Sequence, residues 1–438
     1  MPEQDRPTIT RLAQEIGSLA LTPSALVERC LARIGEVEAR VQAWRLVDAE
    51  GARAAAAALT EEARAGRIRG PLHGIPVGVK DVIDVAGLPT RAGSRACDGA
   101  PPAAADAPVV ARLRAAGAIV LGKTHTTEFA FFDPAPTRNP HRLGHTPGGS
   151  SSGSGAAVAA GMVPLALGTQ TNASVCRPAA YCGVAAVKPT SRSLPADGVV
   201  PLAASFDTVG VYGRTLGDAA AGYAALAGAP PAGRAAGGPL RIGVVVDPLY
   251  DRATGTVRGV MDAACARLAA AGHRLEPARP PTRFEDLIDI HDTVMAYETA
   301  AAHAATVRAA GDLIGPRLRA FVERGLAITT DRYEAARRAM DEAAAAAWRT
   351  FGGHDLLLAP PVAAPAPAGL GSTGDPTFVT PWTLLGGPLA VIPVGTDATG
   401  LPVAVMLAAP PGAEAALLSG GAAVAALLES APDPAIES

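Results

Sequence analysis

From PLHGIPVGVKDVIDVAG at residue 71 onward, short Val/Ile runs closed by Gly or Pro alternate with helical stretches such as APVVARLRAAG. This alternation constrains the fold more than any other feature. Strand-forming runs that are apolar throughout suit a sheet buried on both faces, and the helical segments between them supply the crossovers that parallel strands require. The predicted class is therefore α/β, with a largely parallel sheet covered by helices on both sides. Further strand and helix signals at LRIGVVVD and VRGVMDAACARLAAAG continue the pattern, and strands resume at DLLLAP, LAVIPVG and VAVMLAA.

The first 70 residues have a different texture. Thr22 before Pro23 reads as an N-cap followed by proline at the first helical position, after which Ala25, Leu26, Cys30, Leu31 and Ile34 recur at helical spacing. A second helix is expected from about Ala52 to Ala65, and a helical lobe, polar on one face, from about Phe284 to Trp348. No internal repeat is visible. A chain of 438 residues fits one continuous sheet, so we expect a single domain over 1–438: helices in 1–70, a core in 71–228, and the remaining sheet and helices in 239–438. The stretch APPAGRAAGG at 229–238 is the best internal linker.

Charge and cysteine content exclude several classes. The formal charge of −3 is spread along the chain, which leaves no footprint for nucleic acid or an anionic membrane. Five scattered cysteines without CxxC spacing indicate neither a disulfide framework nor a zinc site, and fit a reducing compartment. The opening MPEQDRPTIT has no basic or apolar leader character, and no apolar run reaches membrane-spanning length. A cytoplasmic protein is expected.

Two motif matches fail on context. GAIVLGKT at 117–124 fits the P-loop pattern, but its four central residues, Ala118 to Leu121, are strand material where a phosphate-wrapping loop belongs. Gly149, Ser151 and Gly153 fit the nucleophile-elbow pattern, but HTPGG before them is no strand. His273, His291, His303 and His354 also lack a context that would make one of them its base. A lysine made neutral by burial can activate a serine instead. Lys80, ending GIPVGVK, is the candidate; the competing reading is a surface lysine paired with Asp81, which spacing alone favours.

GGSSSGSG at 148–155 looks like a flexible tether, yet it runs straight into a small apolar helix and VPLALG. With GIPVGVKD, TPGGSSSGSGAAVAAGMVPLALGT, a serine 24 residues after Ser150, RPAAYCGVAAVKPT and GVVPLAASFDTVGVYGRT, the chain resembles the amidase signature hydrolases. The likeness extends to GAIVLGKTHTTEFA and to TGDPTFVTPWTLLGGPLAVIPVG, and so covers most of the chain from about residue 20. It implies a three-layer α/β/α fold with a large mixed, mostly parallel central sheet. It also implies a Ser-cisSer-Lys triad, with Ser174 as nucleophile, Ser150 as bridge behind a cis Gly149–Ser150 bond, and Lys80 as base. Ser151 and Ser152 would then hold the turn by side-chain to backbone hydrogen bonds.

By the same resemblance, the backbone N–H groups of Thr171, Asn172 and Ala173 supply the oxyanion hole. The expected reaction cleaves a small-molecule carboxylic amide through an acyl-serine, with no cofactor and no metal, and a homodimer is compatible with it. The nucleophile loop departs from the family's usual GTDTGGSIRxP: Gln170, Asn172, Ala173 and Cys176 replace an acid, two glycines and an arginine. Loss of both members of an ion pair leaves neither charge stranded, and Arg177 is placed to serve instead. Alanine would distort the hole if its position demands positive φ. His125, Phe129, Gln170, Arg177 and Trp382 are the candidate substrate contacts. For His125, Trp382 and the Phe129, Phe131, Phe132 group, core packing is the competing reading. Cys176 and Cys182 are expected to be small buried hydrophobes. The alternative functions are the glutaminase-type component of an amidotransferase and a catalytically impaired binding protein.

Overall fold

The computed structural model describes residues 6–228 and 238–436, so the expected linker at 229–238 lies, apart from Gly238, outside the described residues. Among the described residues, eleven strands form one sheet: β1 (Trp44–Val47), β2 (Pro76–Lys80), β3 (Ile119–Thr124), β4 (Leu165–Gln170), β5 (Ala185–Lys188), β6 (Thr208–Gly213), β7 (Arg241–Val245), β8 (Arg274–Ala278), β9 (Leu356–Ala359), β10 (Leu389–Thr396) and β11 (Pro402–Ala408). Their order is β1-β3-β2-β4-β6-β5-β10-β11-β9-β7-β8.

Every residue of β2, β3, β4, β5, β6, β9 and β11 is buried. Because successive side chains point to opposite faces, burial of all of them means that helices cover both faces, the expected three-layer α/β/α arrangement. The sheet is mixed as expected, but its parallel share is smaller than the sequence implies. Parallel pairing is confined to β3-β2-β4 and β8-β7-β9. The central run β4-β6-β5-β10-β11-β9 is antiparallel. Apolar runs signal burial on both faces, not strand direction, which is why alternation alone overstates the parallel fraction. β5 pairs with β10, joining the sequence before the linker region to the sequence after it.

The expected N-terminal helices form, but strand β1 at Trp44–Val47 interrupts the stretch 1–70 that was expected to be helical throughout. Thr22 accepts a hydrogen bond from the amide of Ala25, and the helix Pro23–Val41 buries Leu26, Cys30 and Ile34 while Ala25 stays exposed. The next helix runs Ala49–Arg64, capped by Asp48. GAIVLGKT contains strand β3, with no phosphate loop. The lobe consists of helices Phe284–Ala310, Pro316–Leu326 and Thr330–Phe351. Among the described residues, no helix is long and apolar enough to cross a membrane.

Candidate active site

Lys80 is the last residue of β2 and is fully buried. Its Nζ lies 2.7 Å from Ser150 Oγ, 2.7 Å from Thr169 Oγ1 and 3.5 Å from the Thr169 carbonyl. No carboxylate reaches ion-pair distance of it among the described residues. Burial therefore pulls its pKa well below that of an ordinary lysine, opposed only by the more distant charge of Asp207. A neutral amine offers a lone pair to the Ser150 hydroxyl while donating to Thr169. The competing reading, a surface lysine paired with Asp81, does not hold: Asp81 meets Lys123 at 3.0 Å.

The Gly149–Ser150 bond is cis. The four serines of GGSSSGSG each have a separate structural task, and none belongs to a tether. Ser150 faces Lys80. Ser151 Oγ donates to the Thr169 carbonyl at 3.1 Å and receives the Thr169 amide at 3.2 Å, locking the turn to β4. Ser152 Oγ donates to the Gly148 carbonyl at 2.7 Å. Ser154, in the helix Ser152–Ala159, bonds the Leu167 carbonyl and Thr124 Oγ1, both at 2.8 Å. Two glycines are required sterically. Gly148 has φ +83°, and a Cβ at Gly153 would lie 2.2 Å from the Ala43 carbonyl oxygen.

Ser174 sits in the short turn between β4 and the helix Cys176–Cys182. Its hydroxyl has no hydrogen bond among the described residues, while its carbonyl accepts from Tyr212 Oη at 3.0 Å. The loop before it is clamped from three directions. Thr171 Oγ1 donates to Asp207 at 2.5 Å, and the Thr171 carbonyl accepts from His291 Nε2 at 2.9 Å. The tautomer is fixed by its partner, because a carbonyl can only accept. Asn172 Oδ1 takes the hydroxyl of Thr380 at 2.5 Å, and the Asn172 carbonyl takes that of Thr383. Neither Asn172 nor Ala173 has positive φ, so the Asn-Ala pair enters the loop without left-handed backbone.

Four of the sequence-predicted substrate contacts are buried and make contacts within the chain. Gln170 is fully buried and its amide is spent within the chain: Oε1 accepts the amides of Val175 (2.9 Å) and Cys176 (3.0 Å), and Nε2 donates to Thr383 Oγ1 (2.9 Å). One neutral side chain thus braces the loop where the family's usual text has an ion pair. Arg177 does not replace that pair. Buried and without a carboxylate at ion-pair distance among the described residues, it donates to the carbonyls of Gly149 and Gly374 (both 2.7 Å) and to Thr373 Oγ1 (3.0 Å). It thus grips the residue before the cis bond, with its pKa lowered to about 10 by burial.

Trp382 is core: its indole donates to Tyr250 Oη at 2.7 Å and its ring packs edge-on against Phe284. Phe129 is likewise core, tilted 4.9 Å from the His303 ring. The backbone of His125 anchors the helix after Ser150 by accepting from the Gly153 amide at 3.0 Å. Its ring is held neutral, with a pKa of about 4, by burial. Phe131 and Phe132 do line a cleft of 480 Å³, with Phe321, Arg317 and Arg324. Cys176 and Cys182 are buried, their thiols pushed up by desolvation.

Sequence reasoning missed Thr169, Asp207 and His291. Asp207 stands within the motif GVVPLAASFDTVGVYGRT, where nothing local marks it for a role. There it accepts the amides of Leu202 (2.8 Å) and Ala203 (3.1 Å) besides Thr171, and burial raises its carboxyl to about 6. His291 lies 120 residues from Thr171, with no local signal linking them. Among the described residues, no group of three or more His, Cys, Asp or Glu side chains could hold a metal ion.

The fold as a whole is similar to that of solved amidases. The native peptide amidase from Stenotrophomonas maltophilia matches with a TM-score of 0.86 at 28% identity over 100% of both chains. The amidase family profile matches residues 25–418, and the chain belongs to the amidase family of hydrolases. A 2-amino-5-chloromuconic acid deaminase from Comamonas testosteroni is 35% identical over 93% of each chain. A glutamyl-tRNA(Gln) amidotransferase component from Anaeromyxobacter sp. (strain K) is 46% identical over 49% of this chain and 45% of its own.

Proposed function

We propose that this chain hydrolyses a small carboxylic amide through an acyl-serine intermediate, with Ser174 as nucleophile, Ser150 as relay and Lys80 as base. The contact that carries the reading is Lys80 Nζ to Ser150 Oγ at 2.7 Å, made by a fully buried lysine with no carboxylate at ion-pair distance among the described residues. Neutral Lys80 takes the Ser150 proton, and Ser150 takes that of Ser174 as Ser174 Oγ bonds to the amide carbonyl carbon. The carbonyl π pair moves onto oxygen and is stabilised by backbone amides of the Thr171–Ala173 loop. Collapse breaks the C–N bond as the relay returns its proton to the leaving nitrogen, and water then hydrolyses the ester. Five free cysteines suit a reducing, cytoplasm-like compartment for this activity.

A serine-directed fluorophosphonate probe tests the assignment. Wild type labels and Ser174→Ala does not; a folded wild type that stays unlabelled, or equal labelling of both, overturns it. The 46% identity, over about half of this chain, to the glutamyl-tRNA(Gln) amidotransferase component supports a second reading, a glutaminase supplying ammonia to a partner. Ammonia release from glutamine compared with simple aliphatic and aromatic amides separates the two.

A further inference from the structure

Beside the Lys80–Thr169 contact lies a hollow of about 10 Å³, the room taken by one water molecule. Leu194, Val200, Leu202 and Val209 belong to its apolar wall, and Thr169, Thr171, Asp207 and Thr208 are its polar members. Two of the hydroxyls are committed: Thr171 Oγ1 donates to Asp207 at 2.5 Å, and Thr208 Oγ1 to the Phe206 carbonyl at 2.8 Å. Thr169 differs. Its Oγ1 receives Lys80 Nζ at 2.7 Å, and its own proton has no acceptor among the described residues.

Strand register shows where that proton can go. Thr169 pairs with Val209 across β4 and β6. Alternation puts Asp207, two residues before Val209, on the same face as Thr169, as a diagonal neighbour at roughly 7 Å. The Thr171–Asp207 bond fixes that face, because Thr171 is the next residue after Thr169 on its side of the strand. Thr169 and Asp207 share no direct hydrogen bond, but one water in the hollow can accept from Thr169 Oγ1 and donate to Asp207. The carboxylate otherwise takes Thr171 Oγ1 and the amides of Leu202 and Ala203. Of its four or so acceptor sites, one is left for the water.

We propose that the hollow is a one-water site, and that Asp207 is a positioning residue acting through this water and Thr169 to stabilise the ammonium formed when Lys80 takes the Ser150 proton. The inference rests on Lys80 being the base of the proposed hydrolysis. The proton stays on Nζ until the relay returns it to the leaving nitrogen; none passes to Asp207, and each turnover balances. A polarised chain of hydrogen bonds lets a carboxylate orient a base and offset its transient charge without touching it. Asp207, its carboxyl raised to about 6 by burial, is charged at pH 7. The other titratable or charged groups facing this segment come from the helical lobe. His291 donates to the Thr171 carbonyl at 2.9 Å and His303 to the Pro201 carbonyl at 2.7 Å, while Glu298 accepts the Ser205 amide at 2.8 Å and lies 3.5 Å from Arg337.

The rate of fluorophosphonate labelling of Ser174, followed across acidic to alkaline pH, tests the chain in wild type, Asp207→Asn, Thr169→Val and the double variant. The Asp207 charge holds the Lys80 pKa up against burial, so Asp207→Asn should move the acidic limb down by about one pH unit and slow labelling at its plateau about tenfold. Thr169→Val should act in the same direction, and the double variant should move the limb no further, because one chain is broken once. Thr169→Ser should restore the wild-type limb. Slower labelling with an unmoved limb would make Asp207 a brace of Thr171 alone and end the proposal, as would limb shifts that add in the double variant. A high-resolution crystal structure of wild type reads the site without activity or substitution: a water about 3 Å from both Thr169 Oγ1 and Asp207 is expected, and a dry hollow refutes it. Unlabelled wild type would instead sink the hydrolase reading, whichever way the water is found.

Discussion

β2 and β3 are hydrogen-bonded neighbours, and each carries a fully buried lysine near its C-terminal end, yet the two lysines sit in opposite electrostatic situations. Val79 pairs with Lys123, and Lys80 with Thr124. Side chains alternate along a strand, so Lys123 shares the face of Val79, while Lys80 projects from the other side. Asp81 follows Lys80 and so returns to the Lys123 face, where it closes a 3.0 Å ion pair. Lys123 also donates to Thr90 Oγ1 at 2.9 Å. Burial pulls the Lys123 pKa down, but the Asp81 charge opposes it directly; Lys80, facing two hydroxyls and a carbonyl, has no such support. Two lysines with equal burial, set on adjacent strands, thus become a structural cation and a candidate base, and strand alternation alone decides which one receives the carboxylate.

Replacing each lysine by methionine is the hardest test of that contrast. Lys80→Met should lower amide hydrolysis on the order of 10⁴-fold with the fold intact, read by steady-state kinetics beside circular dichroism. A folded variant retaining most of its activity would break the comparison. Lys123→Met should act through stability, because it strands a buried carboxylate; the expected loss is about 3–5 kcal/mol in urea unfolding. Adding Asp81→Asn should restore much of it, since the uncompensated charge is then gone. Equal sensitivity of the two single variants to urea would show that the two lysines are not differently charged.

The same geometry explains what could be read in advance. The sheet, its helical covers, the N-terminal cap at Thr22 and the approach of Ser150 to Lys80 were legible, because each rests on local text or on an ordered series of motifs. The role of Asp81 was not: spacing places it beside Lys80, and only the pleat sends it to Lys123. Gln170, Arg177 and Trp382 were expected to touch substrate, since they flank the loop of the proposed nucleophile or a glycine-rich strand in sequence. Their polar atoms are instead used by Val175 N, Gly149 O and Tyr250 Oη, contacts that depend on chain segments 5 to 132 residues away. The parallel fraction of the sheet was overstated because β5, β10 and β11 have the same apolar composition whichever way they run.

A pH series sharpens the contrast with a smaller effect. A lysine held neutral in the folded chain and charged in the unfolded one means that, between its lowered value and 10.5, the unfolded state binds a proton the folded state lacks. Folding stability contributed by Lys80 therefore rises with pH across that window. In urea midpoints measured from pH 7 to 10, Lys80→Met should be at least as stable as wild type at the low end, with its advantage shrinking as pH rises. An advantage that grows with pH would mean that Lys80 is charged in the folded state and cannot serve as the base.

The smallest expected effect concerns how the Lys80 side of the sheet is kept in register with the loop proposed to form the oxyanion hole. Thr171 is held at its hydroxyl by Asp207 and at its carbonyl by His291, which comes from the helical lobe. Burial keeps the His291 ring neutral, with a pKa of about 4, so at pH 7 it donates to the Thr171 carbonyl as an uncharged imidazole. Its stacking on Phe206 at 4.2 Å, the residue before Asp207, ties both restraints to one segment. His291→Ala removes the donor from a buried carbonyl, worth about 1–3 kcal/mol. Because the loop and the lobe share that contact, the loss should divide between a modest fall in stability and a fall in kcat of about tenfold, with KM little changed. His291→Gln, which can still donate to the carbonyl, should recover kcat more than stability. If His291→Ala shifts KM alone, the contact belongs to substrate binding, and the loop is positioned without the lobe.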